Sequence, residues 1–328
     1  MNQKNTLFSS TPKQRLSRIG WAIFAFFGAT YLLQLVFSLI LGLFFPAFLE
    51  SVWGMWLLSS VPMYLFGFPL FFLILRPIPS EAPKREPFKL RYLFLYFFIS
   101  YFLMYVGNAA GSLVNAFTRL FGISSSSDAI EMIQSSSLLP IFLIAGVVGP
   151  IIEELMFRKL ILDRLYPYGE KLSILVSALL FALFHGNLTQ FIYAFLLGTV
   201  FGYLYCHTGK ILYPILLHMA INLMGGVLPT LVLKLAAPLL TLLEGGESLT
   251  LETFLTVLPS LLILLGYLFI VFIFCFLGLI FLCCTYKKVY FWPPENPLPK
   301  GSFPRAVLSG GAICGALTFL SLFFLSYL

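Results

Sequence analysis

Between residues 254 and 282 the chain runs without a single Lys, Arg, Asp or Glu, and the same holds for 19–45, 52–75 and 92–114. About 20 apolar residues suffice for a helix to cross the hydrocarbon core of a bilayer. No water is available there to satisfy a bare backbone, so a segment that crosses alone must bond its own N–H and C=O groups as a helix. Further apolar runs lie at 138–157, 172–186, 190–206, 211–228 and 305–327. The chain is therefore expected to be an all-α, polytopic transmembrane helix bundle of about eight or nine spans. Only 10% of its residues are charged, against roughly 25% in a soluble domain, which leaves no water-facing globular surface.

Residues 1–18 are polar and basic, but the apolar run behind them is long and has no small-residue cleavage signal, so it reads as a retained first span. The five cysteines, Cys206, Cys275, Cys283, Cys284 and Cys314, lie in or beside apolar runs and form no Cys-x-x-Cys pair. They suggest neither a disulfide framework nor a thiolate metal site.

Lys and Arg gather on the cytoplasmic side of membrane proteins. With the N-terminus inside, the inner segments collect Lys4, Lys13, Arg15 and Arg18, then Arg76, Lys84, Arg85, Lys89 and Arg91. They also collect Arg158, Lys159, Arg164, Lys171, Lys210, Lys287, Lys288, Lys300 and Arg305, and only Arg119 and Lys234 fall outside. The expected arrangement is a multi-pass protein of the cell membrane with a cytoplasmic N-terminus. The final run, interrupted by Gly310, Gly311 and Gly315, is its weakest span. The net charge of +7 is explained by these juxtamembrane positions, so no nucleic-acid partner is implied. The stretch 77–87 carries four prolines, Pro77, Pro79, Pro83 and Pro87, and reads as a stiff inner loop. Ser124–Ser127 and Ser135–Ser137 flank a short outer amphipathic piece.

Ionisable groups at membrane depth cost roughly 2.5–3.5 kcal/mol each even on lenient insertion scales, so each one asks for a reason. Glu153 and Glu154 end one apolar run, His185 lies inside a second, and His218 with Asn222 interrupts a third. On a helix Glu154 and Arg158 share a face and can pair, while Glu153 points about 100° away, free for another partner. The same spacing puts Phe181 on the face of His185, and Asn222 on that of His218. Three helices thus offer carboxylate, imidazole and carboxamide to one polar pocket, the parts needed to activate a water and to stabilise an oxyanion. Each motif also has a plainer reading. The Glu–Arg pair can be a topological anchor, His185 a satisfied structural group, and His218 with Asn222 interhelical glue. His207, beside Cys206 and near Lys210, reads as a boundary residue.

Taken together, Glu153-Glu154-Leu155-Met156-Phe157-Arg158, Phe181-Ala182-Leu183-Phe184-His185 and His218-Met219-Ala220-Ile221-Asn222 resemble the motifs of the CPBP intramembrane proteases. That family includes the type II CAAX prenyl endopeptidases and the bacterial Abi proteins. The resemblance covers about residues 138–228 and implies a catalytic core flanked by membrane segments at 1–137 and 229–328. It implies that Glu153 and His185 activate water, that His218 and Asn222 hold the oxyanion, and that Glu154, Arg158 and Phe181 support them. The glutamate-base reading needs no cofactor. Zinc held by Glu153, His185 and His218 is the other possibility within the family, although Asn222 is a poor ligand and no His-Glu-x-x-His helix is present.

The function expected is an intramembrane endopeptidase, CAAX-protease-like, cutting a membrane-associated peptide or protein at the cytoplasmic-facing side of a polar cavity. A proton-coupled transporter and a non-catalytic immunity or scaffold protein are the alternatives. The transporter should carry an inverted repeat, and none is evident. Depth poses a difficulty: His185 lies roughly 20 Å along its helix from Lys171, and His218 only roughly 12 Å from Lys210. Tilted helices, or first turns projecting from the bilayer, would let the two meet.

Overall fold

The structure is a computed structural model, and it describes residues 11–83, 87–121, 137–245, 250–294, 297–298 and 301–325. The outer amphipathic piece anticipated around 124–137 lies outside these, apart from Ser137. So do Lys4, Lys84, Arg85 and Lys300.

Nine helices carry the described architecture: α1 (Pro12–Phe44), α2 (Val52–Leu75), α3 (Arg91–Arg119), α4 (Leu138–Tyr168), α5 (Glu170–Phe184), α6 (Leu188–Thr208), α7 (Leu212–Leu235), α8 (Leu251–Thr285) and α9 (Gly310–Leu325). All but α5 and α9 are long and apolar enough to cross a membrane, which gives seven such helices among the described residues. The all-α polytopic bundle expected from the apolar runs is what forms.

Local chemistry fixes several ends. Thr11 and Gln14 bond reciprocally across the first turn of α1, with Pro12 at its first position, which satisfies two N–H groups the helix cannot. Asn187 caps α6 through Gln190 N–H, and Gly209 ends that helix at φ +59°, a conformation other residues adopt at a cost. Two helices outrun the sequence reading. α4 continues past 157 to Tyr168 because Arg158, Asp163 and Arg164 are buried against neighbours rather than projecting into water. α7 reaches Leu235.

Without a hydrophobic force between spans, close backbone approach governs packing in lipid. α3 lies along α6, where a Cβ on Gly107 would stand 2.6 Å from the Cα of Tyr193. α1 meets α9 through Gly20, Gly311 and Gly315. The glycines that seemed to weaken the last span are therefore its contact surface. α5 packs between α4 and α6, and α7 against α3, α4 and α6. Only Val257, Ser260 and Gly278 of α8 are buried, as expected of a helix facing lipid, and it touches α3 at Gly278.

One end of the bundle gathers the basic segments. Arg15 Nη1 donates to the Arg164 carbonyl, Arg164 Nε to that of Leu75, and Glu81 N–H to that of Asp163. Trp292 N–H donates to Glu170 Oε2. The start of α1, the end of α2, the junction of α4 with α5, and the chain after α8 thus share one side.

Candidate active site

Three helices, α4, α5 and α7, bring the polar groups together beside π-helical turns or at a helix end. On α4, Glu153 and Glu154 sit between the π-turns Ile141–Val148 and Leu155–Leu162, and on α7 Asn222 directly precedes Leu223–Val227. Such turns re-aim side chains and are frequent at functional sites.

The Glu154 carboxylate is fully buried. Its Oε2 lies 3.0 Å from Arg158 Nε, and its Oε1 lies 2.9 Å from His218 Nδ1. The four-residue pair foreseen in the sequence forms, and it carries a third member. Arg158, also fully buried, has its guanidinium 4.7 Å from the centre of the Phe181 ring and 5.5 Å from that of Phe201, and Nη2 donates to the Gly198 carbonyl. A buried charge without partners would be prohibitive. Here the carboxylate, a carbonyl and two aromatic faces provide them.

His218 stands between both carboxylates, since its Nε2 is 3.7 Å from Glu153 Oε2. His185 caps α5, and its imidazole folds back one turn so that Nδ1 lies 2.9 Å from the Phe181 carbonyl. That bond assigns the hydrogen to Nδ1 and leaves Nε2 an acceptor. The Phe181 ring is edge-on to both imidazoles, with centroids 5.0 Å from His185 and 5.6 Å from His218. The two imidazoles expected at different depths thus meet on either side of one ring. Asn222 Nδ2 donates to the Ala145 carbonyl in the first π-turn of α4 at 2.9 Å, leaving one N–H and its own oxygen for other partners.

Phe181, His185, His218 and Asn222 line a cavity of about 520 Å³ together with Asn108, Thr189, Gln190, Tyr193, Thr230 and apolar residues of α3, α6, α7 and α8. Glu153 is not part of that wall. It touches His218 there and keeps 15% of its side chain exposed. Among the described residues, no three His, Cys, Asp or Glu side chains close on a common point, so the zinc set Glu153, His185 and His218 does not fit an ion as the side chains stand. The cavity also lies toward the first turn of α6 and the last turns of α7, the ends remote from the basic segments. His185, at the far end of α5, lies on that same side.

Sequence reasoning missed Phe201, an aromatic residue within an apolar span, where composition offers no signal to single it out.

Residues 135–224 match the family model described as type II CAAX prenyl endopeptidase Rce1-like. Over 180 residues the chain is 29% identical to YdiL of Bacillus subtilis (strain 168), provisionally named a membrane peptidase, covering 52% of this chain and 69% of that one. Over 158 residues it is 28% identical to the membrane-embedded CAAX protease MroQ of Staphylococcus aureus (strain USA300), covering 45% of this chain and 62% of that protein. No solved structure matches.

Proposed function

We propose that this chain, whose residues 135–224 match the type II CAAX prenyl endopeptidase Rce1-like family model, is a membrane peptidase of that family and hydrolyses a peptide bond in the cavity with water activated by Glu153 and His185. Its substrate is a membrane-associated peptide or protein.

The observation that carries this reading is the different hydrogen-bond state of the two imidazoles. His185 spends its Nδ1 hydrogen on Phe181, so Nε2 is free to accept a proton from water. His218 faces a carboxylate oxygen at each nitrogen. Its Nε2–H, with the uncommitted N–H of Asn222, supplies donors for the oxygen that gains negative charge when water attacks the carbonyl. Glu153 lies beside Nε2 of His218 and takes the water's proton together with His185. The proton then passes to the leaving amine, which restores both groups. Glu154 and Arg158 act through His218 by fixing its ring.

Among the described residues no Asp, Glu, Lys or Arg lines the cavity, which favours uncharged residues around the scissile bond. With the basic end in the cytoplasm, the N-terminus is cytoplasmic, the protein is a multi-pass component of the cell membrane, and the cavity belongs to the outer half of the bilayer.

The test is turnover of a quenched fluorogenic peptide library by the purified full chain in detergent micelles and in vesicles. Wild-type protein should release fluorescence and Glu153→Gln should not, with equal melting temperatures for the two. Equal turnover by both would overturn the glutamate-base reading.

A further inference from the structure

Glu153 and Gly149 are four residues apart on α4 and share a face. Because helical side chains lean toward the N-terminus, the Glu153 carboxylate folds back over Gly149. A Cβ built on Gly149 would stand 3.7 Å from Glu153 Oε1 and 3.1 Å from the hydroxyl of Tyr64. Two oxygens from different helices therefore both face a residue that has no side chain, and a side chain there would crowd the hydroxyl.

Tyr64 belongs to α2, outside the segment that carries the motifs, and sits in the π-turn Pro62–Gly67. Its hydroxyl makes no hydrogen bond to any other described residue, although it interacts electrostatically with Glu153. A phenol that reaches across from a neighbouring span into apolar surroundings calls for an acceptor. The carboxylate over Gly149 is the acceptor at hand.

We infer that Tyr64 is a positioning residue for Glu153: its hydroxyl donates to Glu153 Oε1 through one water, and so turns Oε2 toward His218 and the attacking water. This rests on the role given to Glu153 above. It adds α2 to a site otherwise built from α4, α5 and α7, and makes the catalytic carboxylate depend on how α2 packs against α4.

Two measurements on the purified full chain test it. In the fluorogenic assay Tyr64→Phe, which keeps the ring, should lower kcat by roughly 10–100-fold, the usual cost of losing an orienting partner, while KM and the melting temperature stay at wild-type values. Gly149→Ala, whose methyl would crowd the hydroxyl, should lower kcat in the same way and add little to Tyr64→Phe. Independently of turnover, the infrared difference spectrum between wild type and Tyr64→Phe should contain a shifted carboxylate band. That band should vanish when both proteins also carry Glu153→Gln. Unchanged kcat in Tyr64→Phe, or a carboxylate band that survives Glu153→Gln, would overturn the inference. If Glu153→Gln itself cleaves normally, the water-activating reading of Glu153 fails, and the infrared result alone decides whether Tyr64 holds that side chain.

Discussion

Nδ1 of His218 stands 2.9 Å from Oε1 of Glu154, and the other oxygen of that same carboxylate stands 3.0 Å from Nε of Arg158. One buried carboxylate thereby joins α7 to α4 and fixes an imidazole at the wall of the cavity. Glu154→Gln keeps an acceptor for His218 while removing the charge, so the protein should lose kcat by roughly 10–100-fold and, with buried Arg158 left uncompensated, melt at a lower temperature. Steady-state kinetics with the fluorogenic peptide check this. Wild-type kcat would mean that the charge of Glu154 serves only Arg158.

Arg158 offers the sharpest stability test. It is enclosed by Glu154, the Gly198 carbonyl and the rings of Phe181 and Phe201, so Arg158→Ala leaves a buried carboxylate with one partner fewer and should destabilise the protein by about 3–5 kcal/mol. Arg158→Lys should recover only part of this, because an ammonium cannot span the carboxylate and both rings as a planar fork does. Thermal melting of purified variants gives the order wild type, Lys, Ala. Equal melting of all three would exclude the buried network.

Asn222 has two attachments that one substitution separates. Asn222→Ala removes an oxyanion donor, a loss of roughly 10²–10³-fold in kcat, and also frees the Ala145 carbonyl that Nδ2 caps. Melting temperature and kcat should therefore both fall. A fall in melting temperature with kcat intact would confine Asn222 to holding α7 against α4.

Much of this site could be read from residue spacing. Glu154 and Arg158 pair as four-residue neighbours must, and Phe181 shares the face of His185 as the helical repeat requires. What spacing could not give is the partner across helices. Nothing in the order Glu153, Glu154, His218 says which carboxylate binds which nitrogen, and the π-turns that rotate Glu154 and Asn222 have no sequence mark. His207 shows the same limit. Read as a boundary residue, it lies 3.1 Å from Glu170 and stacks on Tyr203 at 3.9 Å between centroids, in a cluster where Trp292 docks on the same carboxylate. The span expected at 190–206 ends within two residues of the observed helix, which stops at Thr208 before Gly209. Span ends were misjudged where charge was buried, as in α4 beyond Arg158.

The position of the cavity predicts a labelling pattern. In a cysteine-free background, single cysteines at Ser80 and Leu120, both exposed, should react with a membrane-impermeant maleimide from opposite sides of sealed vesicles. A cysteine at Gln190, which lines the cavity, should react from the side of Leu120. Reaction of Gln190 from the side of Ser80 would return the cavity to the cytoplasmic-facing position.

Metal dependence separates the two chemistries open to the same side chains. On the glutamate-base mechanism, incubation with a strong chelator followed by its removal should leave turnover within about twofold of the untreated enzyme, well short of the roughly 10²–10⁴-fold loss expected when a proton-transfer group is deleted. Added zinc should not raise it. His185 and His218 already spend Nδ1 on the Phe181 carbonyl and on Glu154, an arrangement that would also orient ligands toward a metal, so the experiment has a real alternative to exclude. For a zinc site Glu153 would have to swing toward both Nε2 atoms, because the three groups do not close on a common point. Loss of activity with chelator and recovery with zinc, both absent in Glu153→Gln, would make Glu153, His185 and His218 ligands. Persistence of turnover through chelation leaves the carboxylate and the Nε2 lone pair of His185 as the groups that take the proton from water.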